Sequence, residues 1–207
     1  MIFQLESTAL GADEEAPSGS GKDWSRALRG FRSEHNFFIN TGSAESHWKI
    51  LKDSDEFIED AQKDLSLQLS YAFHLQLVSH FGYYLGSSVG ITKNQTRPKN
   101  FRILQTLILP GLDAGLVFEP SNNWRTMMGY TFGWQRLDSI RFDSDSLKAS
   151  VTADCRSYHF SVDYFFELSD GVRVEYERFT LLYSAPGSLN IEKRGTAVKV
   201  GYLKHLI

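Results

Sequence analysis

His159 and Ser161 are separated by a single residue, and together they could support catalysis. In a β-strand, a spacing of two places both side chains on one face, about 7 Å apart along the strand. A general base close to a serine hydroxyl is the starting arrangement for acyl hydrolysis. The alternative is structural, since an interior histidine and serine can also hydrogen-bond to polar groups across the interior.

Three other residues have chemically reactive side chains: His74 and His80 could bind a metal, and Cys155 could be a reactive thiol. The two histidines fall on the same face of an extended chain, and imidazole is a common metal ligand. Two imidazoles without an adjacent carboxylate make a poor site, so we predict no metal and no other cofactor. The single cysteine cannot form a disulfide within this sequence or a multi-cysteine cluster, and we predict a small buried strand residue there.

The sequence around these side chains predicts β-strands. Over residues 65–91, almost every odd-numbered residue is large and apolar, and almost every even-numbered one is small or polar. This two-residue period is typical of strands, because helical side chains on one face recur every three to four residues. A turn within residues 76–82 would divide the stretch into two strands. Alternation over residues 36–43 and 196–206 predicts the first and last strands.

A further hairpin is predicted where two neighbouring apolar stripes lie on the same face. One stripe covers residues 112–118 and the next covers residues 124–134. Residues opposite each other in a hairpin point to the same side of the sheet. A five-residue loop at 119–123 would therefore place Phe118 opposite Trp124.

Another hairpin is predicted between residues 158–166 and 172–176. Its connection is the tripeptide Ser169-Asp170-Gly171, and a glycine in the last position suits a tight turn. The resulting register predicts two cross-strand pairs of charged residues: Glu167 with Arg173, and Asp163 with Glu177.

These patterns together predict an all-β fold, a closed, antiparallel, up-and-down barrel of about eight strands. We assign residues 23–207 to a single barrel domain, which begins with a short amphipathic turn at 24–31. Residues 1–22 are too polar and too rich in Gly and Ser to pack against a core, which predicts a flexible tail. An aspartate and a glutamate three residues apart resemble a capping box and predict a short helix over residues 53–62, within a loop.

Periodicity alone does not decide whether the apolar face points into a core or towards lipid. A soluble lipocalin-like carrier of an apolar ligand would place apolar side chains inside, whereas a membrane barrel has an apolar exterior and a polar lumen. Alternating connection lengths favour the membrane barrel, with long connections at residues 49–64, 92–100, 137–146 and 184–194. Aromatic residues make up 14% of the sequence and many lie near the ends of the apolar stripes, as expected at the two membrane interfaces. The charges on the polar face also favour the membrane barrel, because they would be costly to bury in a dry core.

The predicted lumen contains charged residues of both signs, which we expect to form a network that plugs a narrow barrel. These residues are Arg125, Asp163, Glu167, Arg173, Glu175, Glu177 and Lys199. An eight-stranded interior is nearly filled by its own side chains, so we expect no open pore. In the predicted register, Asp163 and Glu177 would repel each other unless a cation such as Arg125 or Lys199 lay between them.

Two motifs combine glycine with aromatic residues: Phe81-Gly82-Tyr83-Tyr84-Leu85-Gly86 and Met128-Gly129-Tyr130-Thr131-Phe132-Gly133-Trp134. With the alternation and the connection lengths, they make residues 36–207 resemble the small eight-stranded outer-membrane β-barrels of bacteria, the class that includes the OmpA transmembrane domain and OmpX. The resemblance implies insertion in the outer membrane with both termini on the periplasmic side, and a structural or interaction role carried by the long loops. Such barrels usually end in Phe or Trp, whereas this sequence ends His205-Leu206-Ile207. Either the terminus is atypical or Tyr202 supplies the aromatic residue.

A second resemblance rests on the tripeptide His159-Phe160-Ser161. Outer-membrane lipid A deacylases, which are also eight-stranded barrels, are similar at a His-x-Ser motif with a downstream glutamate. This resemblance would give catalytic roles to His159, Ser161 and Glu175. In that family the pair faces lipid and Asn-Ala follows the serine, whereas here the register turns His159 inward and Val162-Asp163 follows. We therefore predict a barrel without enzymatic activity, with the deacylase and the lipocalin-like carrier as alternatives.

Charge and hydropathy limit the partners of the protein. The formal net charge is -3, the isoelectric point is near 6.1 and Lys and Arg form no run, so we predict no nucleic-acid partner. No stretch of about 18 apolar residues could form a transmembrane helix. The sequence shows no secretory signal, so export would require one that has been removed.

The predicted partners are outer-membrane lipid and a protein bound by the long loops. Lipopolysaccharide is included because the segment 91–100 contains three basic residues, Lys93, Arg97 and Lys99, which could contact its phosphates. The alternative is that this segment is only a solvated loop.

Overall fold

The computed structural model describes residues 32–52, 55–78, 80–94, 101–142, 151–184 and 190–206. The strands are β1 (Arg32–Lys52), β2 (Asp55–Val78), β3 (Phe81–Asn94), β4 (Phe101–Ser121), β5 (Trp124–Phe142), β6 (Val151–Phe165), β7 (Asp170–Ser184) and β8 (Asn190–Leu206). Each strand pairs antiparallel with its neighbours in sequence, and β8 pairs with β1. The predicted closed, up-and-down barrel of eight strands is confirmed. The predicted tail at 1–22 and turn at 24–31 lie outside the described residues.

Side-chain alternation explains why these segments are strands. In β6, buried and exposed residues alternate along almost the whole strand, from Ala153 inward to Tyr164 outward. Only an extended chain places every second side chain on one face. Within the described part of the chain, no helix is long and apolar enough to cross a bilayer.

The β1–β2 hairpin is longer than the sequence predicts. Residues 55–62 belong to β2 and pair with the end of β1, as far as Lys52 opposite Asp55. The predicted helix over residues 53–62 is therefore wrong for its described part, and so is the long connection at 49–64. A helix that short is marginal on its own, and the backbone hydrogen bonds of the hairpin outweigh its capping signal.

The β4–β5 hairpin has a tighter turn than predicted. Asn122 and Asn123 alone form the turn, which puts Ser121 opposite Trp124 and Phe118 opposite Thr126. The predicted pairing of Phe118 with Trp124 is wrong by two residues, so the predicted faces are unchanged. Asparagine tolerates the positive φ of two-residue hairpin turns, which is why this pair of residues can close the hairpin.

The β6–β7 hairpin also differs from its predicted register. Asp163 lies opposite Arg173, and Glu177 lies opposite His159. The predicted pairs of Asp163 with Glu177 and of Glu167 with Arg173 are therefore wrong. The predicted register placed two acidic residues opposite each other. The structure does not, because Arg173 lies across from Asp163.

The connection before β7 covers residues 166–169, which is earlier than the predicted Ser169-Asp170-Gly171. The reason is that Asp170 is held at the start of the strand. Lys204 Nζ donates a hydrogen bond of 2.8 Å to the Asp170 carboxylate, and Ser169 Oγ donates another. The backbone amide of Phe166 also bonds to the Asp170 carbonyl oxygen. These contacts hold Asp170 at the start of the strand, and the hydrogen bond from Lys204 followed by that from Ser169 lowers the pKa of Asp170.

Candidate functional site

The barrel has two unlike ends. The turn end contains the connections at 122–123 and 166–169 together with Arg32 and Leu206, and the loop end is the opposite one. Towards the turn end, the outward side chains are large, apolar and about half exposed: Leu67, Leu69, Leu85, Met128, Phe160, Val174 and Val200. The inward side chains of the same strands include many buried charged groups. These groups form four sets, which follow one another along the lumen.

The first set surrounds Arg125, nearest the turn end. Its guanidinium donates from Nη2 to Glu34 Oε2 and from Nε to Glu119 Oε1, both at 2.6 Å. A third donor, Nη1, reaches Asn36 Oδ1 at 3.1 Å. Because Arg125 is on β5 and Glu34 is on β1, this set crosses the lumen. The guanidinium also lies 4.8 Å from the centre of the Phe165 ring.

The second set is the pair of Arg173 and Asp163. Arg173 donates from Nε to Asp163 Oδ1 at 2.7 Å and from Nη2 to Asp163 Oδ2 at 2.8 Å. Both residues are buried, and the guanidinium lies 3.5 Å from the centre of the Phe38 ring. A two-point contact of this kind is the strongest geometry for a guanidinium and a carboxylate.

The third set contains two linked clusters halfway along the lumen. Lys199 Nζ lies 3.0 Å from Glu175 Oε1 and 2.7 Å from Glu177 Oε2. Beside it, His159 Nε2 lies 2.8 Å from Asp113 Oδ1. His159 Nδ1 is 3.9 Å from Glu175 Oε2, so the two clusters are in electrostatic contact.

Tyr84 completes the third set from the opposite wall. Its hydroxyl donates to Asp113 Oδ1 at 3.0 Å and lies 2.8 Å from His159 Nε2. The ring fits because two inward positions beside it are glycines. A Cβ at Gly129 would overlap the tyrosine hydroxyl, and a Cβ at Gly115 would lie 2.7 Å from Cε1 of the ring. Gly129 of the second aromatic motif and Gly115 of β4 therefore make room for a lumenal tyrosine.

The fourth set is the pair of Lys193 and Asp64, nearer the loop end. Lys193 Nζ lies 2.5 Å from Asp64 Oδ2, and Ser46 Oγ donates to the same oxygen at 3.2 Å. The ammonium also lies 4.6 Å from the Trp48 ring centre. Charged and aromatic side chains are in contact here, at the level where the lumen changes from charged to apolar.

Beyond Lys193, the lumen is apolar. A buried cluster, which we call the loop-end cluster, fills it with side chains from five strands: Trp48, Ile50, Leu137, Ala153, Leu181 and Ile191. Four of its larger members have no exposed surface at all. This end of the barrel therefore has the interior of a soluble protein.

The outer surface changes at the same level. On β1, the exposed apolar residues Phe37 and Ile39 are followed, towards the loop end, by the exposed polar residues Ser43, Glu45 and His47. Six other strands each contribute an exposed basic residue at this point, which together we call the basic girdle: Lys63, Lys93, Arg136, Arg156, Arg178 and Arg194. The two faces of the strands thus exchange polarity between the turn end and the loop end.

The lumen, in the part of the chain that the structure describes, includes two cavities larger than a single water-sized sphere. One, of about 80 Å³, is lined by residues of the third set such as Asp113, His159 and Lys199, and has space for a few water molecules. The other, of about 220 Å³, lies at the turn end beside Glu34 and Arg125.

Most of the predicted lumenal residues lie where the sequence places them. Buried or half-buried positions in the lumen are occupied by Arg125, Asp163, Arg173, Glu175, Glu177 and Lys199. Glu167 is the exception, since it is exposed in the connection before β7. The sequence prediction missed several of their partners: Glu34, Asp64, Asp113, Glu119, Lys193 and Tyr84. For Tyr84 a signal existed, because inward glycines leave space that a neighbouring aromatic ring can fill.

The residues considered for acyl hydrolysis do not form a nucleophile and base. Ser161 is fully buried, and its hydroxyl has no hydrogen-bond partner among the described residues. His159 contacts Asp113 and Tyr84 instead, and Glu175 contacts Lys199. The pair also faces the lumen and not the apolar exterior where a lipid would lie.

The two histidines and the cysteine occupy unlike positions. His74 is buried in the lumen, whereas His80 is exposed in the turn before β3 and bonds to the Glu119 carbonyl oxygen. The prediction that both histidines share a face is wrong, because the β2–β3 pairing shifts its register after Gln76. Cys155 is a buried residue of β6, as predicted.

No protein-family model matches the sequence, and no curated protein matches it. Similar solved structures include Neisserial surface protein A, which is 14% identical, with a TM-score of 0.48 and coverage of 79% of this chain and 96% of that one. The outer membrane protein AlkL is 12% identical, with a TM-score of 0.46 and coverage of 94% and 97%. Ail of Yersinia pestis is 13% identical, with a TM-score of 0.42 and coverage of 82% and 99%. At such low identities the likeness assigns no role to any residue.

Proposed function

We propose that the protein is an integral barrel of a bacterial outer membrane, with the half near the turn end in the bilayer and the loop end projecting beyond it. The observation that carries this proposal is the exchange of polarity between the two faces of the strands. On β7, Val174 and Tyr176 point outward beside inward Arg173 and Glu175. Only a barrel surrounded by hydrocarbon gains from that arrangement, because water would favour the opposite one.

The length of the apolar surface agrees with a bilayer. A transmembrane β-strand needs about 9–11 residues when it is tilted by about 45°. On β2, the outward residues from Leu65 to Leu75 are all apolar, and Lys63 follows them. Since β2 has 24 residues, the remaining part of the strand would extend past the membrane.

The paired charges and the loop-end cluster support a plugged lumen. Each of the four sets places opposite charges within hydrogen-bond distance, which reduces the cost of burying them. Beyond them, apolar side chains close the loop end. The role that fits is therefore structural or one of interaction, through the segments at 95–100, 143–150 and 185–189, which lie outside the described residues. A lumen lined by charges also fits poorly with a carrier of apolar ligands.

The basic girdle suggests a lipid partner. Its side chains are exposed on six strands at the level where the outward surface stops being apolar. Guanidinium and ammonium groups at that height would meet lipid headgroups, and they bind phosphate well. We propose that these residues contact the lipid A phosphates of lipopolysaccharide. Glu45, on β1, is the acidic neighbour of Lys63 in this ring.

Tryptophan quenching tests the proposed orientation, because the three described tryptophans face different environments. Trp124 and Trp134 are 48% and 42% exposed on the outside, whereas Trp48 is fully buried inside. Three variants that each keep one of these tryptophans, with all others replaced by Phe, would be folded into vesicles containing brominated phospholipid. We expect strong quenching of Trp124 and Trp134 and little quenching of Trp48. A native barrel that stays monodisperse in buffer without detergent would contradict the proposal, as would quenching of Trp48 alone.

A further inference from the structure

A cluster of potential metal ligands lies at the turn end of the lumen. Glu34 on β1, His74 on β2 and Glu119 on β4 each place one ligand atom so that all three lie within 4.8 Å of one another. Glu34 and His74 are buried and Glu119 is half-buried. The three strands bring these residues together although they are far apart in sequence.

His74 has an environment that its structural role does not explain. It is 4% exposed, and neither ring nitrogen has a hydrogen-bond partner among the described residues. A buried polar group without a partner costs free energy, so a side chain in this position is expected to have a ligand. One of its ring nitrogens lies within 4.8 Å of a carboxylate oxygen of each glutamate, so the three groups could share a cation.

Arg125 holds the two carboxylates in place. It donates to one oxygen of Glu34 and to one oxygen of Glu119, each at 2.6 Å. Groups that hydrogen-bond to metal ligands commonly orient them in this way. His205 Nδ1 also lies 3.4 Å from Glu34 Oε2, so neighbouring groups orient both carboxylates.

The space beside these residues fits a single ion. A cavity of about 10 Å³ is lined by Glu34, His74 and Glu119, together with His80. This volume is about that of one water-sized sphere, which is enough for one ion or one water. The larger cavity of about 220 Å³, which Glu34 and Glu119 also line, would connect the site to the turn end.

We propose that Glu34, His74 and Glu119 bind a divalent transition metal ion, Zn²⁺ in the simplest case. One imidazole with two carboxylates suits zinc and its neighbours, whereas calcium and magnesium prefer sites made of oxygen alone. Zinc bonds to nitrogen and oxygen are about 2.0–2.2 Å long, so the side chains would close slightly around the ion. The metal would link β1, β2 and β4 at the turn end. This inference does not depend on the proposed membrane location.

Cobalt titration tests the site directly. The folded protein, without a polyhistidine tag, would be titrated in detergent with Co²⁺, whose visible absorption reports binding to nitrogen and oxygen ligands. We expect saturation at one ion per chain and loss of the signal when Zn²⁺ is added. No saturable absorption with the unaltered protein would overturn the proposal.

Three variants assign the signal to these residues. His74→Gln and Glu119→Gln should each weaken Co²⁺ binding by at least about tenfold. His35→Gln is the matched control, because His35 is exposed on the neighbouring β1 and bonds to Tyr71 outside the lumen. Circular dichroism would establish that each variant is folded. If His74→Gln fails to fold, Glu119→Gln decides, and unchanged affinity in either folded variant would refute the assignment.

Discussion

The lumen is filled in two different ways at its two ends, although the same strands line both. Near the turn end, β7 points Arg173 and Glu175 inward, and near the loop end it points Phe179 and Leu181 inward. The outward residues change in the opposite sense, from Val174 and Tyr176 to Arg178 and Thr180. Strand alternation therefore sets two faces, and the medium outside the barrel decides which face carries the charges.

The two ends also differ in what holds them together. The loop-end cluster needs only apolar volume, since dispersion and burial do not depend on exact partners. The charged sets need specific geometry, because a buried ion without its partner is far costlier than a buried methyl group. A single substitution should therefore have its largest effect among the charged sets.

The largest effect is expected from Asp163→Ala. The change would leave the Arg173 guanidinium, 3% exposed, without its two-point partner. Removing one member of a buried pair typically costs about 3–5 kcal/mol, and we expect the free energy of unfolding to fall by that amount. Urea unfolding in detergent micelles, followed by circular dichroism, would measure it.

The matched control removes both charges together. In the double variant with Asp163→Leu and Arg173→Met, no unpaired ion remains and similar volume is kept. Such replacements are often neutral or stabilising, so we expect most of the lost stability to return. If the double variant were as unstable as Asp163→Ala, the loss would come from packing and not from charge.

The barrel itself could be predicted because its signal is local. The alternation over residues 65–91 predicts the turn between β2 and β3 and the strand segments on either side of it, although β2 begins earlier, at Asp55. This signal needs no knowledge of distant residues. The registers failed where they depended on turns whose length the sequence leaves open, as before Asp170. The end of β1 was missed because the strand exchanges polarity after Ile39, which interrupts the apolar stripe.

The charged sets could be predicted only in part. Inward charges such as Arg125 and Lys199 follow from alternation along single strands. Their partners do not, since Arg125 on β5 reaches Glu34 on β1 across the lumen. Contacts between strands that are not neighbours depend on the barrel diameter and on the space left by residues such as Gly129. Neither the diameter nor that space can be derived from the sequence of one strand.

A smaller effect is expected from arginine substitutions on the outer face of β7, where the two ends of the barrel should respond differently. Val174 is 51% exposed in the apolar region, whereas Thr180 lies on the same face beyond Arg178. In a bilayer, Val174→Arg should cost about 2–4 kcal/mol and Thr180→Arg about 0–1 kcal/mol, because the cost depends on depth. Unfolding of both variants in lipid vesicles would measure the difference. Equal costs would contradict a membrane boundary between the two residues.

The smallest effect is expected at the boundary itself, from the double variant with Arg156→Gln and Arg178→Gln. Both side chains are exposed, so the free energy of unfolding in plain detergent should change little. Added lipopolysaccharide should stabilise the unaltered barrel, and the variant should lose about 1 kcal/mol of that stabilisation for each residue. Lys49→Gln is the control, since Lys49 is exposed above the girdle and pairs with Glu56. Equal stabilisation of all three proteins, or stabilisation that persists with dephosphorylated lipopolysaccharide, would show that the girdle does not bind lipid A phosphates.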